Sequence, residues 1–308
     1  MPKLDSQNPA RISNLDYNAI RNKVIALLGS GSGQRGYGQT IASSAVSAGN
    51  VINKSHWDSL RYDLTNIKVH QDGVTPSIVE LAPGAVIRYG ASHPNTNYET
   101  IAAQADLARF NIGAGQSVLA VKASTSYSSS WNTSASCTLT VTFSTADTAR
   151  YFFNSGGKIQ FTSTRTDGTS SSQNNAWTQL LATVGTQSFG GAEPSLANFY
   201  TLTSSYQTFY QRSQSTPYSN NYFQLAALCN VSNNSAGTAT SITFRITWAD
   251  GYTDPGTSPG DSPNQIDRVN GTLTIAVSEL KAAGLMIPSG TFTVAGPSSY
   301  SLSSITAS

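Results

Sequence analysis

In the first part of the chain, the apolar residues recur every three or four positions. The first such run precedes Gly29, and the second follows Asn53, where Ser55 and Asp58 have the spacing of a capping box. This spacing places apolar side chains on one face, so the pattern predicts two α-helices. Because two helices of this length bury too little surface to fold alone, residues 1–75 are interpreted as a docking or oligomerisation region. The residues assigned to the docking helix are Trp57, Leu60, Leu64 and Ile67.

From about residue 118 the period of the pattern changes to two. Apolar and polar residues alternate, with Thr and Ser at many of the polar positions, and Asn, Gly and Ser residues separate the runs. Alternation is typical of strands with one buried and one wet face. We therefore expect a mainly β protein: an antiparallel β-sandwich over 118–308, joined to the small N-terminal helical region by a connecting segment over 76–117. The alternating runs are 118–121, 137–143, 158–163, 206–210, 241–248 and 272–277.

Three further features of the β region can be assigned from local signals. Residues 154–157, Asn-Ser-Gly-Gly, are typical of a hairpin turn before the strand at 158–163. A helical pattern follows Asn174 and ends at Gly185. The tail from Pro288 onward has short apolar alternation, which would add an edge strand to its own sheet or reach a neighbouring subunit.

The chain is poor in charge for a protein of 308 residues. Only 11% of its residues are charged, and 18 basic against 16 acidic residues leave a net charge of +2, whereas charged residues form about 25% of typical domains. This balance gives no electrostatic footprint for nucleic acid. No apolar run approaches the roughly 20 residues of a membrane helix, and residues 1–6 lack the apolar stretch of a signal peptide.

Cysteines and acidic residues offer few candidates for a metal or a disulfide. Cys137 and Cys229 lie in separate apolar segments, so they either form a disulfide between neighbouring strands or stay as buried thiols, which is the favoured interpretation. No CxxC pair supports a zinc site. Four acids share one Pro/Gly-rich loop, whose oxygens suit calcium, although ordinary turns explain the same composition better. These weak calcium candidates are Asp250, Asp254, Asp261 and Asp267.

The sequence supports neither catalysis nor a cofactor. Serines are so abundant that a match to G-x-S-x-G, such as residues 256–260 in the Pro/Gly-rich loop, is expected by chance and carries no weight. Glu279 is interpreted as a surface charge at a strand end. One stretch concentrates aromatic side chains that would serve as glycan contacts or, by preference, as core and subunit contacts. Its candidate residues are Tyr200, Tyr206, Tyr210, Tyr218 and Tyr222.

Two groups of segments resemble a known class of proteins. The N-terminal group resembles the first part of virion structural proteins of tailed phages, especially those infecting cyanobacteria. The second group resembles a β-rich domain that recurs in the same class and is the more specific of the two. The first group consists of Tyr17-Asn18, Gly36-Tyr37-Gly38-Gln39-Thr40 and the stretch 57–63. The second consists of residues 149–161, 174–181, 198–202, 229–234 and 247–250.

This resemblance implies a building block of the virion, assembled in the host cytoplasm. It implies a non-enzymatic tail, neck or fibre component, partnered by copies of itself in a trimer or higher ring and by other virion proteins. The alternative is a receptor-binding module that recognises a host-surface glycan. A capsid decoration protein and a polysaccharide-degrading tailspike are less favoured, the latter because such enzymes show β-helix repeats and no fixed-period repeat is present.

Overall fold

The computed structural model describes residues 13–82, 94–192, 197–253 and 268–308. The chain forms two compact units, each assembled from separate stretches of sequence. The helical unit comprises Met1–Val118, Arg150–Gly157 and Lys281–Ala295. The β unit comprises Leu119–Ala149, Lys158–Leu280 and Gly296–Ser308.

Local capping signals define the two helices that the apolar period predicts. Helix α1 (Asn14–Leu28) begins at Ser13, which forms a capping box with Asp16, and ends at Gly29. Helix α2 (Lys54–Asp72) begins at Asn53 and ends at Gly73. The expected capping box of Ser55 and Asp58 is wrong: the Asn53 side chain accepts from the His56 amide, and His56 Nδ1 accepts from the Asn53 amide. An asparagine is as good an N-cap as serine, so the helix begins two residues earlier.

A third helix lies within the segment that the sequence suggested was a connection. Helix α3 (Pro94–Leu107) belongs to the helical unit and packs against α1 and α2. Its buried positions from Tyr98 onward include two alanines, Ala102 and Ala105. Because alanine marks a buried face weakly, the apolar period of this helix does not stand out in the sequence.

The glycine-rich segment after α1 is held in place. The Arg150 guanidinium donates to the carbonyls of Ser30 and Arg35 at 3.1 and 3.0 Å. Gly36 has φ +103°, and a Cβ there would lie 2.2 Å from the Ser30 carbonyl oxygen, so only glycine fits this turn. The buried Asn154 amide also donates to the Gly36 carbonyl at 3.2 Å. These contacts give the glycine-rich segment a defined conformation.

The residues that hold this segment come from a helix, which replaces the expected hairpin. Helix α4 (Ala146–Asn154) is followed directly by strand β3 at Lys158. The Asn-Ser-Gly-Gly signal therefore ends a helix, a role that glycine also favours. Helix α5 (Ser172–Val184) confirms the helix predicted between Asn174 and Gly185.

Two antiparallel sheets confirm the mainly β fold, with 31% strand and 27% helix. The first sheet has the order β1-β8-β3-β4, with β9 on β8, and the second has the order β10-β2-β7-β6-β5, with β11 on β2. Strands of the first sheet are β1 (Ser117–Tyr127), β3 (Lys158–Thr166), β4 (Thr186–Phe189), β8 (Thr272–Leu285) and β9 (Thr291–Thr293). Strands of the second are β2 (Ser134–Thr142), β5 (Gln207–Ser213), β6 (Tyr222–Cys229), β7 (Ser241–Ala249), β10 (Ser299–Leu302) and β11 (Thr306–Ala307).

The core of the β unit lies between the inner faces of these sheets. The Phe161 and Phe189 rings of the first sheet lie 5.0 and 5.1 Å from the Phe244 ring of the second, measured between centroids. The buried Trp248 indole donates to the Ser163 hydroxyl at 3.0 Å, which satisfies its polar atom. The C-terminal tail adds β10 and β11 to its own sheet, one of the two outcomes expected from sequence.

Candidate functional site

Hydroxyl-bearing side chains line the outer face of the second sheet along its paired strands β2 and β7. Along β2 and β7 the inner positions are buried and the alternate outer positions are Ser, Thr, Arg245 and Ala. The Thr140 and Thr243 hydroxyls, on paired residues, are 3.3 Å apart. Arg245, the charged residue of these two strands on this face, stacks over the Tyr206 ring at 4.4 Å. The face is therefore polar but carries little charge.

Cross-strand hydrogen bonds also join polar side chains of the first sheet. The Thr162 and Thr186 hydroxyls are 2.9 Å apart, and the Gln160 amide donates to the Ser188 hydroxyl at 3.2 Å. A polar group already hydrogen-bonded within the sheet loses less on desolvation than an unpaired one. Another protein surface can therefore cover these positions at a low cost in free energy.

Strand β1 is a long edge strand with exposed apolar side chains. It stands at one end of the first sheet, with β8 on one side and no strand on the other among the described residues. Leu119 and Val121 expose 62% and 71% of their surface. The alternation of 118–121 predicted the strand, but the pattern gave no sign of its edge position. An open apolar edge is a template for pairing with another chain.

A buried carboxylate anchors the C-terminal strand to the body of the β unit. Glu279, on β8, exposes 2% of its surface and accepts from the Tyr300 hydroxyl at 2.6 Å. The Lys122 ammonium lies 3.6 Å from the same carboxylate oxygen. Burial, followed by the bond to Glu279, raises the pKa of the Tyr300 hydroxyl, which keeps it a donor. The interpretation of Glu279 as a surface charge is wrong, because its alternating position points into the sandwich.

Three of the five candidate tyrosines lie in packed surroundings. Tyr200 is 4% exposed. The Tyr206 ring lies beneath Arg245, and the Tyr210 ring packs beside Phe223 with centroids 6.3 Å apart. Tyr200 is therefore a core residue, and Tyr206 and Tyr210 pack against side chains of their own chain. Their assignment to subunit or glycan contacts stays a prediction.

The other two candidate tyrosines are half-buried. The Tyr218 ring meets the Tyr252 ring edge to face at 4.7 Å, a pair that the sequence did not single out. Tyr222 is half-buried on β6. Asn221 is fully buried, and its side-chain oxygen accepts from the backbone amide of Tyr252 at 2.9 Å.

The residues assigned to a docking helix are instead core residues of the helical unit. Each of the four is at most 1% exposed. The Trp57 ring contacts the Tyr17 and Tyr98 rings edge to face at 5.3 and 5.1 Å. Since these side chains are enclosed in the core, they cannot form a docking surface in the folded chain. The core residues concerned are Trp57, Leu60, Leu64 and Ile67.

No cluster of metal-ligating side chains occurs among the residues that the structure describes. Asp250 is buried, and its carboxylate accepts from the Gln173 amide at 2.7 Å. The other three calcium candidates, Asp254, Asp261 and Asp267, lie outside the described residues.

Both cysteines are free and buried, as the favoured interpretation predicted. Burial raises the pKa of the Cys137 thiol to about 12. The Cys229 thiol donates to the Val231 carbonyl at 3.3 Å. Both thiols therefore behave as small core side chains that are protonated at neutral pH.

Comparison of the chain with protein-family models found no match, and searches of curated proteins and of solved structures found none either. Separately, the helices in the described part of the chain are all too short or too polar to cross a membrane.

Proposed function

We propose that this chain is a non-enzymatic structural component of a phage virion, assembled in several copies as part of a tail, neck or fibre. The observation that carries the proposal is the open edge of β1 with Leu119 and Val121 exposed. Proteins that stay monomeric protect such edges with short strands, charges or prolines. Here eleven residues form the strand, and its Lys122 is directed toward Glu279.

The neutral faces of the β unit support the same function. A component built into a particle packs against copies and neighbours over large areas. Like charges at each contact would oppose that packing, whereas hydrogen-bonded Ser and Thr side chains do not. The resemblance of residues 149–161 and related segments to phage virion proteins supports the proposal from the sequence.

The location of the protein is tested by quantitative mass spectrometry of purified phage particles encoding this chain. We expect the chain in mature particles at many copies each. Its absence from mature particles, with expression in the infected cell demonstrated, contradicts the proposal.

The role of β1 is tested by native mass spectrometry of the isolated chain. We expect multiples of 32.5 kDa, and we expect Val121→Lys to lower the assembled mass, because a lysine ammonium would have to be buried at the contact. Val74→Lys is the matched control, since Val74 is 64% exposed and lies in the helical unit. Equal assembled masses for both variants and the natural chain would show that β1 does not form a contact between copies.

Glycan binding is the second candidate function, and one observation favours it. The Tyr218 and Tyr252 rings form a half-buried aromatic pair, and the buried Asn221 side chain accepts from the Tyr252 backbone amide. Aromatic rings of this kind can stack on sugars. A glycan array with the purified chain tests this candidate. Binding that Tyr252→Ala abolishes supports it, and an array without binding eliminates it.

A further inference from the structure

A groove of about 710 Å³ lies between α1 and α3 within the helical unit. Ala26 of α1 and Ala102 and Ala103 of α3 form the apolar part of its lining, and polar or charged side chains, including Asn22 and Ser32, form the rest. At its margin Leu107, the last residue of α3, exposes 84% of its surface. The same surface therefore carries both an alanine-lined groove and, beside it, the projecting Leu107 side chain.

An internal ion pair closes one end of this groove. The Arg35 Nε and Nη2 atoms donate to the two carboxylate oxygens of Asp106, both at 2.7 Å. The bidentate bond and the Coulomb attraction of Arg35 hold the pKa of Asp106 below its ordinary value, although burial acts in the opposite direction. Since Arg35 follows α1 and Asp106 is near the end of α3, the two helices end at the same side of the groove. This pair is satisfied within the chain and does not call for a charged ligand.

Two other charges on these helices make no ion pair within the described residues. Lys23 lines the groove on α1, three residues before Ala26. Glu99 lies on α3, one helical turn before Ala103 and on the same side of the helix. One helix thus offers a cation and the other an anion.

We propose that the groove is a contact between two copies of this chain, in which Leu107 of each copy enters the alanine-lined groove of the other. A two-fold axis along the groove places α1 of one copy over α3 of the other. The same rotation places each Leu107 near the other copy's Ala26, and each Lys23 over the stretch that carries Glu99. A surface that carries both a projecting leucine and a groove to receive it can pair with a second copy of itself under two-fold symmetry. The opposite charges favour a second copy over an acidic or a basic partner.

This inference rests on the proposed assembly in several copies, so the experiment separates the groove from β1. In a Val121→Lys background, native mass spectrometry should give twice the chain mass of 32.5 kDa. Leu107→Asp removes the projecting side chain, and Ala26→Phe fills the hole from inside. Each should raise the dissociation constant of the dimer at least about tenfold, because a central apolar contact is lost.

Val51→Asp is the matched control, because Val51 is 80% exposed in the same unit and does not line the groove. Circular dichroism verifies that each variant is folded. A monomeric Val121→Lys chain, or a dimer that both groove variants leave intact, overturns the inference. If Val121→Lys lowers the assembled mass and the groove variants have no effect, the proposed function stands without this contact.

Cross-linking gives a second measurement that does not depend on affinity. A Leu107→Cys chain mixed with an Ala26→Cys chain should form a disulfide-linked pair, since both natural cysteines are buried. A Val51→Cys chain replaces either partner as the control. Cross-links no more abundant than those of the control contradict the proposed contact.

Discussion

His70 is an ionisable side chain enclosed by the core of the helical unit. Its ring stacks on Phe292 with centroids 4.0 Å apart and meets the Tyr37 ring edge to face at 5.3 Å. Nε2 donates to the Ser155 carbonyl at 2.9 Å, while Nδ1 is buried without a hydrogen-bond partner. Burial lowers the pKa of His70 from 6.5 to about 4, because the charged ring would be poorly solvated there.

We predict that the helical unit loses stability as the pH falls from about 6.5 to about 4. In this window the unfolded chain binds a proton at His70 and the folded chain does not, so protonation favours unfolding. The loss is about 3 kcal/mol when the window has been crossed. Urea unfolding at several pH values, followed by a probe in the helical unit, measures it.

A His70→Phe variant should lack this part of the pH dependence, since Phe has no proton to gain. His56→Gln is the control, because the His56 ring lies at the start of α2 instead of in the core. An unchanged pH dependence in His70→Phe would show that other groups cause the acid sensitivity.

At the scale of an element, the C-terminal strand β10 depends on a few specific contacts. It is short, and its residues pair with β2 from Ser299 to Leu302. The Tyr300 hydroxyl reaches the buried carboxylate of Glu279, and Gly296 passes so close that a Cβ there would lie 2.6 Å from the same carboxylate. Side-chain contacts therefore hold a segment whose backbone pairing alone is brief.

We predict that Tyr300→Phe loosens β10 without unfolding the β unit. The variant leaves a buried carboxylate with one donor fewer, at a cost of about 1–3 kcal/mol. Hydrogen exchange of the β10 amides should become roughly tenfold faster or more. Tyr222→Phe is the control, because the Tyr222 hydroxyl makes no hydrogen bond in the described part of the chain. Equal exchange rates in the two variants would show that Glu279 does not secure the strand.

At the scale of the whole molecule, the ion pairs are unevenly distributed between the two units. Of the ion pairs among the described residues, five lie in the helical unit, and the β unit contains the pair of Lys122 and Glu279. The strand faces carry mostly hydroxyl and amide groups instead. Contacts made by such faces and by apolar edges depend little on ionic strength.

We therefore predict that the assembled mass is nearly the same in about 0.05 M and about 0.5 M salt. Apolar burial and backbone hydrogen bonding provide the contact free energy, and neither is screened by ions. Analytical ultracentrifugation across this range measures the mass. Dissociation at the higher salt concentration would show that ion pairs between copies dominate the contact.

Periodicity in the sequence was sufficient to predict α1, α2, α5 and the β-sandwich. These predictions depend on which side chains recur on one face, and that property is local. The burial of Cys137 and Cys229 followed in the same way, since small apolar residues in alternating strands point inward. Helices α3 and α4 were missed because alanines and turn residues carry weak or ambiguous local signals.

The surfaces that we propose as contacts were decided by the tertiary structure. The alternation around Val121 predicts a strand, but only the pairing of β1 with β8, distant in sequence, makes it an open edge. Glu279 becomes an anchor because Lys122 and Tyr300 are brought to it from other strands. The groove beside Leu107 exists because α3 packs along α1. Local chemistry therefore determined the elements, whereas contacts between distant residues, which no local pattern records, decided which faces are covered and which remain available.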